Sequence, residues 1–216
     1  SLYAEPAYMP VVLNTPFTVM TSMGKAQLEE KAYTDQPEAD RLWPVVHRYG
    51  DTTLIPHRPN VVVIVLESFG AAYSAKLNGG ESCMPFLDSL MGQGLWYSRA
   101  YANGRRSIDG IPAVLASLPK MMPEAFIESP YAQQPFTALP GLLAAEGYGT
   151  SFFHGGHNGT MGFDVFARSA GFQRYVGRDQ YPDPKDDDGV WGIRDRPFLQ
   201  FFAQEMNKEP QPFMSC

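Results

Sequence analysis

The stretch Asn60-Val61-Val62-Val63-Ile64-Val65-Leu66-Glu67-Ser68-Phe69-Gly70 decides the fold. Its six consecutive Val, Ile and Leu residues are too few to cross a bilayer, and their β-branching suits a strand buried on both faces, as in a parallel sheet. The run stops on a carboxylate. Glu67 then stands at the carboxyl end of a strand, the edge of an open α/β sheet at which ligands bind, where a carboxylate can hold a cation or act as a base. The alternative is a strand-end Glu that caps the following turn or helix.

Downstream, Met84 to Met91 has Pro85 in its first turn and apolar residues at helical spacing, with Gly92 and Gly94 to stop it. Leu95-Trp96-Tyr97-Ser98-Arg99-Ala100-Tyr101 reads as a second strand, the polar turn Asn103 to Gly110 follows, and Ile111 to Leu118 resumes a helical pattern. Prolines punctuate the chain from Pro119 to Pro140, which predicts a surface excursion. Ala138 to Glu146 reads as a helix and Tyr148 to Phe153 as a third strand ending at His154. Val165 to Ala170 reads as a short helix, Gln173 to Val176 as an edge strand, and Pro197 to Met206 as an amphipathic helix. Alternating strands and helices with polar loops after the strands predict an α/β fold with a mostly parallel sheet.

Residues 1 to 58 differ from the rest in their scattered prolines, short apolar pieces and polar stretch from Lys25 to Arg41; only Met23 to Ala32 looks helical. We expect a linker or wrapping segment there ahead of a domain over 59–216, with His47 and His57 as ordinary surface histidines. The 17 Lys and Arg against 23 Asp and Glu give a net charge of −6, so no basic field points to nucleic acid. Two cysteines, Cys83 and Cys216, make no disulfide framework. There is no run of 18 apolar residues and no signal-peptide pattern, so the piece itself is expected to be soluble.

Three loops carry the candidate chemistry: Glu67, the Asn103 to Gly110 turn, and His154 to Asp164. If the strands are parallel, the loops share one sheet edge and can surround one site. Ser107 sits where a strand hands over to a helix, so its hydroxyl can face the oxygens of an anion at a helix amino terminus. Arg105 and Arg106 suit a phosphate or sulfate, which guanidinium groups bind bidentately. The competing reading makes Ser107 a helix cap with Asp109 in the first turn. His154 and His157 are better placed for anion contact than for a structural zinc. Asp186-Asp187-Asp188-Gly189 reads as a solvated acidic turn and not a calcium loop, since Pro184 stands where a first ligand belongs.

Arg58 to Gly70, Pro85 to Leu90 and Tyr101 to Ser107, extended by Asp188 to Ile193 and the final helix, resemble the sulfatase-like domain of lipoteichoic acid synthase and related phosphoglycerol transferases, a branch of the alkaline phosphatase superfamily. The resemblance implies a three-layer sandwich with a mostly parallel central sheet, present here as an incomplete domain. It implies one divalent cation, manganese, magnesium or zinc, held by a Glu matching Glu67 and by a nucleophile matching Ser107, where the synthases have Thr; it implies no nucleotide. His154 matches a histidine that contacts the head group, and Arg106 and Asn158 are expected around the anion. The Trp and Arg that follow that histidine in the synthases are Met161 and Phe163 here, which puts a glycerol-phosphate specificity in doubt. Cys83-Met84-Pro85-Phe86-Leu87 resembles the sulfatase activation signature, but Leu87 stands where Arg is required, so Cys83 is read as a partly buried thiol.

The family's adjacent Asp and His ligands have no counterpart after Pro210, and Pro212 to Cys216 looks like the start of another core strand. The chain is therefore expected to be a fragment of a longer, membrane-anchored protein whose extracytoplasmic domain transfers a phosphoglycerol or similar head group from a phospholipid or glycan-linked phosphate ester. A sulfuric ester hydrolase or phosphodiesterase of the same fold is the enzymatic alternative. A non-catalytic fragment or binding domain is the other.

Overall fold

The computed structural model describes residues 28, 31–44 and 57–216; the helical reading of Met23 to Ala32 falls largely outside them, as does His47. His57 is exposed. Within the polar stretch, Gln36–Leu42 forms a helix (α1) capped by the Asp35 carboxylate, which accepts from the Glu38 amide at 2.9 Å.

Four parallel strands follow: β1 (Val61–Val62), β2 (Gly149–Phe153), β3 (Arg174–Val176) and β4 (Phe213–Ser215). Their spatial order is β1-β4-β2-β3, so the strand nearest the carboxyl end of the chain lies in the middle. Met214 faces Val61 on one side and Thr150 on the other. Between β2 and β4 the Ser151 and Ser215 hydroxyls, both buried, pair at 2.8 Å, which satisfies two polar groups that burial would otherwise penalise.

Period-two alternation along β2 builds the layers. Phe152, 2% exposed, points into a core with Ile108, Ile111, Leu115, Phe163, Phe166 and Met214. Its neighbour Phe153 points the other way, onto Val176 and Phe202. The first core is roofed by α4 (Ser107–Ala116) and α6 (Phe163–Ser169), with α5 (Leu139–Ala145) beside them. The second is roofed by α7 (Asp195–Met206). A parallel sheet with a helical layer on each face is the three-layer sandwich the sequence predicts. Two further helices, α2 (Ala75–Asn78) and α3 (Pro85–Met91), are joined by Asp88, whose carboxylate accepts from the Ser74 hydroxyl and from the Ala75 amide at 2.9 Å.

Two expectations fail locally. The apolar run was expected to be buried on both faces over six residues; β1 itself is two residues long and lies at the edge of the sheet. Val61 and Val63 pack on the first core, while Val62 at 42% and Ile64 at 56% remain exposed. Among the described residues the chain covers one face of β1 only. The aromatic segment Leu95 to Tyr101 is not a strand: Leu95, Tyr97 and Tyr101 are 74–87% exposed, because β propensity without a partner strand places no backbone hydrogen bonds. The proline-rich excursion, by contrast, is ordered and reaches the core, with Phe136 stacked on Phe166 at 5.6 Å.

Candidate active site

The parallel sheet places the loops after β1 and β2 on one edge, so Glu67 and His154 share it as the sequence predicts. Glu67 lies in a turn beside Ser68, whose φ of +65° is left-handed. Its exposed side chain makes no hydrogen bond with another described residue, and the short turn helix that follows begins at Gly70 without a side-chain cap. The capping alternative therefore finds no support.

Ser107 is positioned in a different way from the one predicted. No strand precedes its turn; the turn is positioned by α4 itself, which begins at Ser107, four residues earlier than the apolar pattern suggested. Ile108, Ile111 and Leu115 along α4 are 1–6% exposed and pin this helix to the sheet-side core. The position before the helix is Arg106, and no side chain caps it. Ser107 is thus the first helical residue, half-buried, with its hydroxyl outside the capping role.

Asp109 organises this turn. Its side chain is fully enclosed, and it accepts from Arg106 Nε and NH2 at 3.3 Å and from Lys120 Nζ at 3.1 Å. Burial alone would raise its carboxyl, but the hydrogen bonds from Arg106 and Lys120, with their charges, outweigh it and hold the group below the usual carboxylate range. The same pairing lifts the Arg106 guanidinium above its ordinary value. Asn103 Oδ1 accepts from the Lys120 amide at 2.5 Å, tying the turn to the segment after α4. Gly104 packs so closely on Asp109 that any Cβ there would overlap the Asp109 Cβ. Sequence reading placed Asp109 only as a first-turn acid and missed Lys120, because a pairing across 11 positions leaves no local pattern.

On the other loop, the His154 amide donates to the Val176 carbonyl at 2.9 Å, which fixes the backbone at the end of β2. The ring stands edge-on to Phe163 at 4.9 Å and packs over Gly156. Burial pushes its pKa below the ordinary 6.5, so the imidazole is held neutral, and Nδ1 is enclosed without a partner among the described residues. Phe163 is 1% exposed, a core ring that offers nothing to an anion. Met161 is 42% exposed in a left-handed conformation. Asn158 is occupied by the fold, donating to Gln180 Oε1 at 3.2 Å and accepting from the Asp179 amide at 3.4 Å. His157 is exposed.

The acidic turn is also structural. Asp188 Oδ1 accepts from the amides of Val190, Trp191 and Gly192, and Asp187 pairs with Arg178 at 2.5 Å. Cys83 is exposed, not partly buried: its amide is fixed on the Tyr73 carbonyl in the loop before α3, which leaves the thiol outside.

Among the described residues no group of three or more His, Cys, Asp or Glu side chains is placed to hold a metal. The Glu67 carboxylate and the Ser107 hydroxyl each make no hydrogen bond with another described residue, and oxygen donors of this type suit a hard divalent cation.

A family model for sulfatases matches residues 59–216. The chain belongs to the sulfatase family. Within that family it is 25% identical over 189 residues to a lipoteichoic acid synthase-like protein of Bacillus subtilis, YvgJ, covering 86% of this chain and 29% of the relative. It is 25% identical over 162 residues to lipoteichoic acid synthase of Staphylococcus saprophyticus, covering 72% of this chain and 25% of that protein. Among solved structures it resembles an alkaline phosphatase superfamily protein from Vibrio parahaemolyticus, with a TM-score of 0.67 and 32% identity. It shares its fold with the lipoteichoic acid synthase LtaP of Listeria monocytogenes, at a TM-score of 0.62 and 22% identity. Each of these two likenesses covers 73% of this chain and 39% of the solved one, so the chain spans well under half the length of the relatives it matches.

Proposed function

We infer that this chain contributes the nucleophile half of a metal-dependent phosphoryl-type transferase acting on phosphate esters such as a phosphoglycerol head group. The observation that carries the reading is Ser107: a hydroxyl at the first position of α4, left out of helix capping, next to the Arg106 guanidinium. Unpaired amides at the start of a helix and its positive dipole end favour an anion there. Glu67 and Ser107 would hold the divalent cation, and the remaining ligands would come from outside the described residues. When bound, such a cation lowers the pKa of a serine hydroxyl and offsets negative charge on a phosphate.

Ser107 Oγ attacks phosphorus, forming an O–P bond as the ester bond to the leaving alcohol breaks; the hydroxyl proton is lost to solvent and the departing alkoxide is protonated. The serine ester then passes its group to an acceptor alcohol or to water. Arg106 binds the non-bridging oxygens, neutral His154 contacts the head group through its ring edge, and Asn158 bounds that loop while holding it in shape. The names of the lipoteichoic acid synthase relatives support a role in building a phosphate-ester polymer; a glycerol-phosphate lipid donor and an extracytoplasmic, membrane-anchored setting for the full-length protein are part of this proposal. Among the described residues no helix is long and apolar enough to cross a membrane.

The test is Ser107→Ala in the full-length protein, expected to abolish turnover of a phosphodiester substrate while leaving the melting temperature in place. Near-normal turnover would sink the assignment. An aryl sulfate assayed in parallel separates the sulfuric ester reading, which the family name supports and the absent activation signature at Leu87 opposes. Tight, stoichiometric metal binding by residues 57–216 alone would show that the ligand set is already complete within them.

A further inference from the structure

α4 is ten residues long, about 15 Å from end to end at 1.5 Å per residue. Lys120 follows its last residue by only four positions, yet Lys120 Nζ lies 3.1 Å from Asp109 in the first turn of the helix. The chain achieves this by reversing at Ser117, whose φ of +54° is left-handed, so that residues 118–120 run back along α4. The backbone is fastened there too, by the Lys120 amide on Asn103 Oδ1. A non-glycine residue in a left-handed conformation carries a cost that the surrounding structure must offset.

The result is an ordered group of charges. Asp109 lies behind with its side chain fully covered, while Lys120 at 28% and Arg106 at 53% side-chain exposure lie in front, and both cations bond the same carboxylate oxygen, Oδ2. One carboxylate is shared by two cations, and Arg106 also feels the charge of Glu128, so the two cations are held together by acids that lie to one side of them. Because the carboxylate is covered, it orients the cations without facing an incoming anion.

We propose that Lys120 is a second cationic contact for the anionic oxygens of the substrate, held beside Arg106 by the buried Asp109. The proposal rests on the reading of Ser107 as nucleophile and adds to it a specificity for groups bearing at least two non-bridging oxygens, one for each cation. The guanidinium supplies a planar fork and the ammonium a mobile point charge, so the pair can follow an oxyanion whose charge redistributes during transfer.

The experiment compares Lys120→Met, Lys120→Arg and Ser107→Ala in the full-length protein, with inorganic phosphate as the probe. Two readouts are used: the rise in melting temperature caused by phosphate, and steady-state kinetics on a phosphodiester with phosphate as competitor. Lys120→Met keeps the length of the stem and is expected to weaken phosphate binding by about tenfold or more and to raise KM, the size of one lost charge-assisted hydrogen bond. Lys120→Arg is expected to restore most of the binding, and Ser107→Ala to bind phosphate without turnover. If Lys120→Met binds phosphate as the parent does, the proposal is overturned, whatever its effect on melting temperature. If Ser107→Ala turns over normally, the nucleophile reading fails first. Should Lys120→Met not fold, Lys120→Arg decides: its binding constant must remain within a few-fold of the parent, and a collapse of binding in this folded, charge-keeping variant would reject the role.

Discussion

Replacing Gly104 by Ala perturbs the turn before α4 without removing a charged or hydroxyl group. The added methyl would overlap the Asp109 Cβ and lie 3.3 Å and 3.4 Å from the Asp109 carbonyl carbon and Cα. These atoms belong to the first turn of α4, which Ile108 at 2% and Ile111 at 6% exposure lock into the core, so the obstacle is backbone and cannot swing aside. The turn must move instead. Overpacking of this kind costs about 1–3 kcal/mol, and a rigid obstacle places the change toward the upper end. For a domain of this size that corresponds to a fall in melting temperature of about 5–10 °C. Displacement also pulls Asn103 from the Lys120 amide and shifts Arg106 from Asp109, so the hydroxyl and its cations lose register. An error of about 1 Å in a reacting group costs about a hundredfold in rate, and turnover should fall by that order even well below the melting point. The assay pairs thermal unfolding by circular dichroism with phosphodiester turnover in the full-length protein at a temperature where both forms are folded. A variant that melts low yet turns over normally would refute the link between this turn and Ser107, and one unchanged in both would refute the packing itself.

Phe152→Ala removes a ring 2% exposed that contacts Phe163, Phe172 and Tyr175 at 5.3–6.4 Å, and should cost about 3–5 kcal/mol in chemical denaturation. Thiol titration with Ellman's reagent at neutral pH should label the exposed Cys83 quickly and Cys216 only on unfolding, since burial pushes the Cys216 thiol up to about 12; prompt labelling of both would contradict that burial. His154 gives a pH signature. Its folded-state pKa lies below the ordinary 6.5, so protonation opposes folding: the stability is whole above 6.5 and declines as pH falls from there to the folded value, with a slope of at most about 1.4 kcal/mol per pH unit. Denaturation midpoints across that window, compared with His154→Gln, should show the extra slope in the parent protein only, and equal slopes would exclude it.

The elements legible in the sequence were those whose burial is decided by short-range pattern. Gly149–Phe153 carries its two-sided burial in Thr150-Ser151-Phe152-Phe153, and Phe213–Ser215 in three small or apolar residues with no surface side. The errors lie where a partner far along the chain decides the outcome. Leu95 to Tyr101 has the composition of a strand and no strand beside it. Val61 to Leu66 has the composition of a central strand and occupies an edge, because β4, more than 150 positions away, takes the neighbouring place and nothing described takes the other. Asp109 with Lys120, and Asn158 with Gln180 and Asp179, are long-range pairings of the same kind.

The start of α4 shows how fine this dependence is. Had the helix begun one residue later, Ser107 would be its cap, with the hydroxyl accepting from an amide of the first turn and unable to serve as a free nucleophile at the same time. Instead, the Asp109 and Gly110 amides both turn back to the Arg106 carbonyl at 3.0 and 3.1 Å, which fixes Arg106 as the residue before the helix and moves Ser107 inside it. The amides of Ser107 and Ile108 then precede the first of these bonds, and they stand beside an uncommitted hydroxyl and a guanidinium held by Asp109. Local propensity treats serine before a helical run as a cap. The buried Asp109, by gripping the residue before Ser107 and the lysine that folds back over the helix, sets the register that frees the hydroxyl.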